Sequence, residues 1–181
     1  GAPALSPDGH WVVFSVLDAA YNDKDQVNDI WIAPTNGSEQ PRRLTSAKAG
    51  ESGYTWSPDG KYIAFVAKRD GDEESQIYLL NMKSGGEAQK LTTLSSGAGN
   101  PKWSNDSKAI LFTSSVYPGC YTDSLQQAKA KEKKDIKYKA RVYETFPIRN
   151  WDKWNDEKVT HPFFQPIDST KAINLFKEVT L

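Results

Sequence analysis

The chain has a single cysteine, Cys120, so it can form no internal disulfide and no cysteine metal site. No apolar run approaches the length that spans a bilayer. Neither charge sign is in excess. Lys+Arg and Asp+Glu stand at 23 each, which removes any overall attraction toward nucleic acid or an anionic membrane surface. No Gly-x-Ser-x-Gly elbow, glycine-rich phosphate loop or metal-ligand spacing occurs. Of the two histidines, His10 follows a turn and His161 precedes Pro162 near a strand start; both are read as surface residues rather than general bases. The chain as it stands is therefore expected to run no hydrolytic or redox reaction, and no metal or cofactor is expected. Its start, Gly1-Ala2-Pro3, lacks Met and a signal peptide and reads as a cut end that has lost any targeting segment.

What is present is aromatic side chain and repetition. Six Trp, eight Tyr and seven Phe in 181 residues can fill the core of an ordinary domain. One phrase is written three times: "LSPDGHWVVF" from Leu5, "WSPDGKYIAF" from Trp56, and a worn copy, "WSNDSKAILF", from Trp103. The leading serines, Ser6, Ser57 and Ser104, are 51 and 47 residues apart, close to the period of a four-stranded propeller blade. The likeness continues downstream. "IWIAPTNGSEQPRRLT" (Ile30 to Thr45) aligns without a gap on "IYLLNMKSGGEAQKLT" (Ile77 to Thr92), and "FFQPIDSTKAINLF" (Phe163 to Phe176) is a third, looser copy two residues shorter.

Each copy has a physical reading. A short strand leads into Ser-Pro-Asp-Gly, where Pro presets φ, Asp bonds its local backbone and Gly takes the left-handed conformation that closes a hairpin. A β-branched and aromatic strand follows, then a polar loop, a third strand, a Gly turn and a fourth strand ending in Leu-Thr. Four antiparallel strands per copy make the chain all-β, a partial β-propeller of about three blades. The blades run 1–46, 47–93 and 94–181. "SPDG" is turn chemistry, and Asp8 and Asp59 have no calcium-loop companions. Rings need four to eight blades, so three leave open strand edges and apolar blade faces. Either further blades are missing or copies associate.

The third copy carries an insertion at about 121–158. From turn serine to third strand the first two copies need 24 and 20 residues, whereas Ser104 to Phe163 is 59. The first part of the insertion reads as a helix capped by Asp123 or Ser124. Its "KAKEKKDIKYK" run is read as a solvated face rather than a nucleic-acid patch. Pro147 breaks the helix, and Trp151 and Trp154 would share one face if the second part is helical. Long insertions on a rigid scaffold are where ligand contacts concentrate.

The phrases beginning at Pro3 and Tyr54, with "RVYETFPIRNWDKW" before the last strands, resemble the N-terminal propeller of prolyl-oligopeptidase-family serine peptidases, in particular the bacterial dipeptidyl-peptidase and acylaminoacyl-peptidase-like branch. The "SPDG" repeats are also similar to those of the periplasmic propeller protein of the Tol system. The peptidase resemblance implies further blades, an α/β-hydrolase domain with a Ser-Asp-His triad, and a propeller that admits only short peptides. It implies a periplasmic or exported protein, with the cytoplasm as the alternative. It also implies a site. A dipeptidyl-peptidase Tyr-Glu-Glu stretch grips the free peptide N-terminus, and a carboxylate suits an ammonium group. Here Tyr143-Glu144 is followed by Thr145, which leaves Glu144 as a candidate anchor or a helix-surface residue. Arg149 could bind a peptide carbonyl or carboxylate, or pair with Asp152. No catalytic residue is expected within the chain.

Overall fold

The computed structural model describes residues 1–19, 26–135, 149–150, 153–154 and 158–177. Three four-stranded antiparallel sheets follow one another along the chain. The first is β1 (Ala4–Leu5), β2 (Trp11–Ala19), β3 (Gln26–Pro34) and β4 (Arg42–Arg43). The second is β5 (Glu51–Trp56), β6 (Tyr62–Ala67), β7 (Gln76–Asn81) and β8 (Gln89–Lys90). The third is β9 (Gly99–Trp103), β10 (Ala109–Val116), β13 (Val159–Pro166) and β14 (Ile173–Asn174). Between β10 and β13 lie helix α1 (Asp123–Asp135) and a hairpin of β11 (Arg149–Asn150) and β12 (Lys153–Trp154). The architecture is the expected all-β partial propeller with a helical insertion in its third blade.

The repeated phrase builds the same turn three times. The serine hydroxyl donates to the aspartate two residues on, Ser6 to Asp8 at 2.5 Å, Ser57 to Asp59 at 2.6 Å and Ser104 to Asp106 at 2.6 Å. It also accepts the backbone N–H of Trp11, Tyr62 and Ala109, which open the second strands. Ser6 and Ser57 are buried. They are internal fasteners, and this hydrogen bonding holds the carboxyl groups of Asp8, Asp59 and Asp106 below the usual aspartate range. The worn third copy is not a loosened turn. Gly9 and Gly60 have φ of 73° and 67°, and Ser107 takes the same left-handed backbone at 61°. Its hydroxyl accepts the Asp59 N–H at 3.0 Å, which ties the third turn to the second.

The fourth strand carries a second repeated fastener. Thr45 Oγ1 accepts the N–H of Ile30 at 3.0 Å, and Thr92 Oγ1 accepts that of Ile77 at 2.9 Å. The strand register identifies the third equivalent. Trp11 pairs with Pro34, Tyr62 with Asn81 and Ala109 with Pro166, so the residue matching Ile30 and Ile77 is Pro162. The expected start at Phe163 is therefore corrected by one residue. Pro162 has no N–H to satisfy, and Phe176 stands where the other copies have threonine. Leu175 N–H still bonds the Pro162 carbonyl, as Leu44 bonds Ile30 and Leu91 bonds Ile77.

Packing runs between sheets. Val13, Ile30 and Ile32 of the first meet Ile63, Phe65, Tyr78 and Leu80 of the second. Ala64, Ile77, Leu79 and Leu91 of the second meet Ile110, Phe112 and Phe163 of the third. The first strands also lean on one another: Trp56 Nε1 donates to the Ala4 carbonyl and Trp103 Nε1 to the Thr55 carbonyl. Leu5 holds the matching place in the first blade and is exposed. The connectors pass through close quarters at Gly50 and Gly97, with φ of 75° and 76°. A β-carbon there would come within 3.0 Å of Asn28 N and 3.2 Å of the Ser75 carbonyl, respectively.

Candidate functional site

The two ends of the sheets differ. At one end lie the serine turns. At the other, β2 and β3 are joined by six residues, β6 and β7 by eight, and β10 and β13 by 42. The blade connectors β4–β5 and β8–β9 also open at that end.

The long excursion is fastened where it leaves β10. Thr122 caps α1, accepting the Leu125 N–H on its hydroxyl and the Gln126 N–H on its carbonyl. The cap thus falls at Thr122 and not at Asp123 or Ser124, the two positions expected. Asp123 reaches the β8–β9 connector, accepting from both the N–H and hydroxyl of Ser95 at 2.8 Å. Gln126, buried in an otherwise polar helix, accepts from Tyr117 N and donates to the carbonyls of Tyr117 and Cys120. The helix is therefore attached through polar side chains; of the run expected to form a solvated face, Lys131 and Lys134 are exposed and Lys129 and Lys133 half-buried, while 136–139 lie outside the described residues.

A cavity of about 790 Å³ lies between the β4–β5 connector, the β6–β7 loop and the β7–β8 turn. Its rim has mixed charge, and its cations are engaged. Lys48 pairs with Asp70 at 3.7 Å, and Lys68 donates to the Glu73 carbonyl at 2.6 Å. The Arg69 guanidinium lies 4.6 Å from the Tyr78 ring and 6.0 Å from that of Phe65. Asp72 knots this rim, accepting from Lys90 Nζ, Tyr78 OH (2.6 Å) and the Arg69 N–H (3.1 Å). Burial raises its carboxyl pKa, but these donors outweigh that and the net shift is downward. Burial, with Asp72 alongside, pushes the Tyr78 phenol up to about 12. The lining of the cavity includes no histidine or cysteine. Among the described residues no group of acidic, histidine or cysteine side chains could hold a metal ion, and no helix is long and apolar enough to cross a membrane.

Of the expected contact residues, Glu144 lies outside the described residues. Arg149 is in β11, paired across the hairpin with Trp154. Trp154 therefore lies in a strand and not on the helical face considered for it, and Trp151 lies outside the described residues. His10 is exposed, but His161 is buried on β13 with Nδ1 3.2 Å from Asn174 Nδ2 and its ring against Phe176. Its strand partner Ser114 is buried as well, so the surface reading fails because β13 is an interior strand. Two buried acids were not anticipated, Asp29 and Glu51. The signal lay in the repeat alignment: 47 residues on, Gln76 and Ala98 stand at the same places.

A comparison of the chain with curated proteins gives no match. Solved structures match over nearly the whole chain at low identity. TolB from Acinetobacter baumannii is 19% identical with a TM-score of 0.59, over 97% of this chain and 32% of that one. Pyrococcus horikoshii acylaminoacyl peptidase is 18% identical with a TM-score of 0.62, over 96% and 24%. AtxE2 isopeptidase with Astexin3-dC4 bound is 16% identical with a TM-score of 0.63, over 95% and 28%. The chain thus spans a third or less of each of these proteins, and the likeness is one of fold. The family model described as the TolB beta propeller domain matches residues 1–134, most of the chain. Three sheets with one repeated turn and one stacking geometry agree with that match: the chain belongs to the TolB β-propeller domain family.

Proposed function

We propose that this chain is the substrate-gating propeller portion of a serine exopeptidase of dipeptidyl or acylaminoacyl type, acting on short peptides. Further blades and an α/β-hydrolase domain would complete the protein, which would be periplasmic or exported. The observation that carries the reading is the 42-residue excursion between β10 and β13, fastened through Asp123 and Gln126 at the long-loop end. A ring face that only docks proteins needs no such arm, whereas a gate needs something standing beside its opening. The open face of the third blade supports a further blade. Val13 and Ala64 are fully buried by the blade that follows them, while the matching Leu111 is 42% exposed. Leu91 is likewise buried, and the matching Leu175 is exposed.

Glu144 and Arg149 are the proposed contacts for the peptide ammonium group and for a carbonyl or carboxylate. The full-length protein is expected to cleave short peptides and to spare long or folded ones. Glu144→Ala is expected to lower the rate on free-amino dipeptidyl substrates tenfold or more. Unchanged rates in that variant would remove Glu144 from the site; equal cleavage of long and short substrates would remove the gate.

A second reading is a non-enzymatic Tol-type propeller that binds proteins. It is favoured by the family match over 1–134 and by the TolB likeness. It differs in requiring no hydrolase domain.

A further inference from the structure

Two carboxyl groups meet inside the contact between the first and second blades. Asp29 on β3 is 3% exposed and Glu51, which opens β5, is 2% exposed. Asp29 Oδ2 pairs with Arg43 Nη2 at 3.2 Å. Asp29 Oδ1 and both Glu51 oxygens receive no donor from the described residues. Two ionised carboxylates side by side at this depth would suffer both desolvation and mutual repulsion. One proton removes both problems. Held by Glu51, it would be donated to Asp29, which lies near enough to push the Glu51 carboxyl up.

The other charged groups around the pair leave this balance in place. The Thr45 hydroxyl beyond β4 is the main opposing influence and Arg69, after β6, a smaller one, yet burial outweighs them and the net shift of Glu51 stays upward. Across β6, Glu51 pairs with Ala67, and Lys68 beyond it is exposed and bonded to the Glu73 carbonyl. Lys48 is paired with Asp70, Lys102 on β9 is exposed, and β1 holds only Ala4 and Leu5.

The next contact in the stack has no such group. At the matching places Gln76 accepts from Thr92 Oγ1 and Leu94 N and donates to the Leu94 carbonyl, beside Ala98. The same geometry is thus satisfied there without a titrating side chain.

We propose that Asp29 and Glu51 hold one proton between them, and that this shared proton fastens the first blade to the second, making that contact the pH-sensitive joint of the stack. Burial pushes the Glu51 carboxyl from 4.5 up to about 7, and neighbouring Asp29 adds to the rise. A folded value above the unfolded one means the contribution is whole below about pH 4.5, declines as pH rises, and is lost above about 7. The lowered aspartates, Asp8, Asp59, Asp72 and Asp106, act on the opposite side, destabilising only as pH falls through the acid range.

Urea unfolding of the chain between about pH 5 and pH 8 reads the joint. The unfolding equilibrium constant is expected to rise roughly ten- to a hundredfold in the wild type, and less than about threefold in Glu51→Gln, which keeps a donor for Asp29 but cannot ionise. Asp29→Gln/Glu51→Ala, which installs the pair found at the second contact, is expected to fold and to show the same flat profile. Both histidines are common to all three proteins, so the difference between profiles is the readout. A flat wild-type profile, or a variant that keeps the wild-type slope, overturns the proposal. If Glu51→Gln does not fold, the double variant decides by the same criterion.

Discussion

Phe112→Ala is expected to destabilise the chain by about 3–5 kcal/mol, a large share of the ~5–15 kcal/mol that holds a domain together. Phe112 is 1% exposed, and its ring stacks on Phe163 with centroids 5.6 Å apart. It fills the space against Ala64, Ile77, Leu79 and Leu91 of the preceding blade. Rigid strands on both sides cannot collapse into the void, so the loss combines transfer and cavity costs. The repeat supplies an internal control. Phe14, Phe65 and Phe112 hold the same place in successive blades, and Phe65 is fully buried against the first blade. Phe14 has no preceding blade within the chain and is half-buried. Phe14→Ala is therefore expected to cost only about 1–2 kcal/mol, in proportion to the area it buries. Urea or thermal unfolding of the three alanine variants gives the order. Equal losses at all three positions would contradict blade stacking as the main source of stability.

Asp72→Ala comes next, with an expected loss of about 2–4 kcal/mol at neutral pH. The carboxylate is 4% exposed and accepts from three donors, the Lys90 ammonium, the Tyr78 hydroxyl and the Arg69 N–H. Lys90 is 35% exposed, so water can replace part of what it loses, and its share is the smaller one. The Tyr78 hydroxyl, on a residue 5% exposed, and the Arg69 backbone carry the rest. Because these contacts lower the Asp72 pKa below 3.8, their contribution is present above that value and fades as pH falls through the folded one. The gap between wild type and Asp72→Ala should therefore be full at pH 7 and narrow below pH 4. A gap under 1 kcal/mol at pH 7, or one that widens in acid, would show that the knot around Asp72 contributes little.

Much of this fold is legible in one phrase. Spacing alone places Ser6, Ser57 and Ser104 at equivalent turns, and those turns set the register of every second strand. What the phrase conceals is burial. Serine reads as turn polarity, yet Ser57 is fully buried and bonded on both sides of its hydroxyl. The loss of glycine at Ser107 reads as decay, yet a hydroxyl in left-handed backbone links two turns. The one-residue shift to Pro162 was readable only from pairing, because proline removes the N–H that the threonines elsewhere serve. The His161 environment depends on pairing with Ser114, far back in the sequence, which local propensity does not reach. Glu51 stood out against Ala98 in the alignment, but its meaning required Asp29, which approaches it only once two blades are stacked. The candidate contacts Glu144 and Arg149 rest on family resemblance, since nothing in the spacing of an insertion says what it touches.

The most direct measurement is the nucleotide sequence that follows the Leu181 codon in the gene. A gating propeller of a serine exopeptidase predicts an open frame with further turns of the Ser-Pro-Asp-Gly kind, then a Gly-x-Ser-x-Gly elbow, then an aspartate and a final histidine in the order an α/β-hydrolase requires. A stop codon directly after Leu181, or further blades with no elbow behind them, would contradict it.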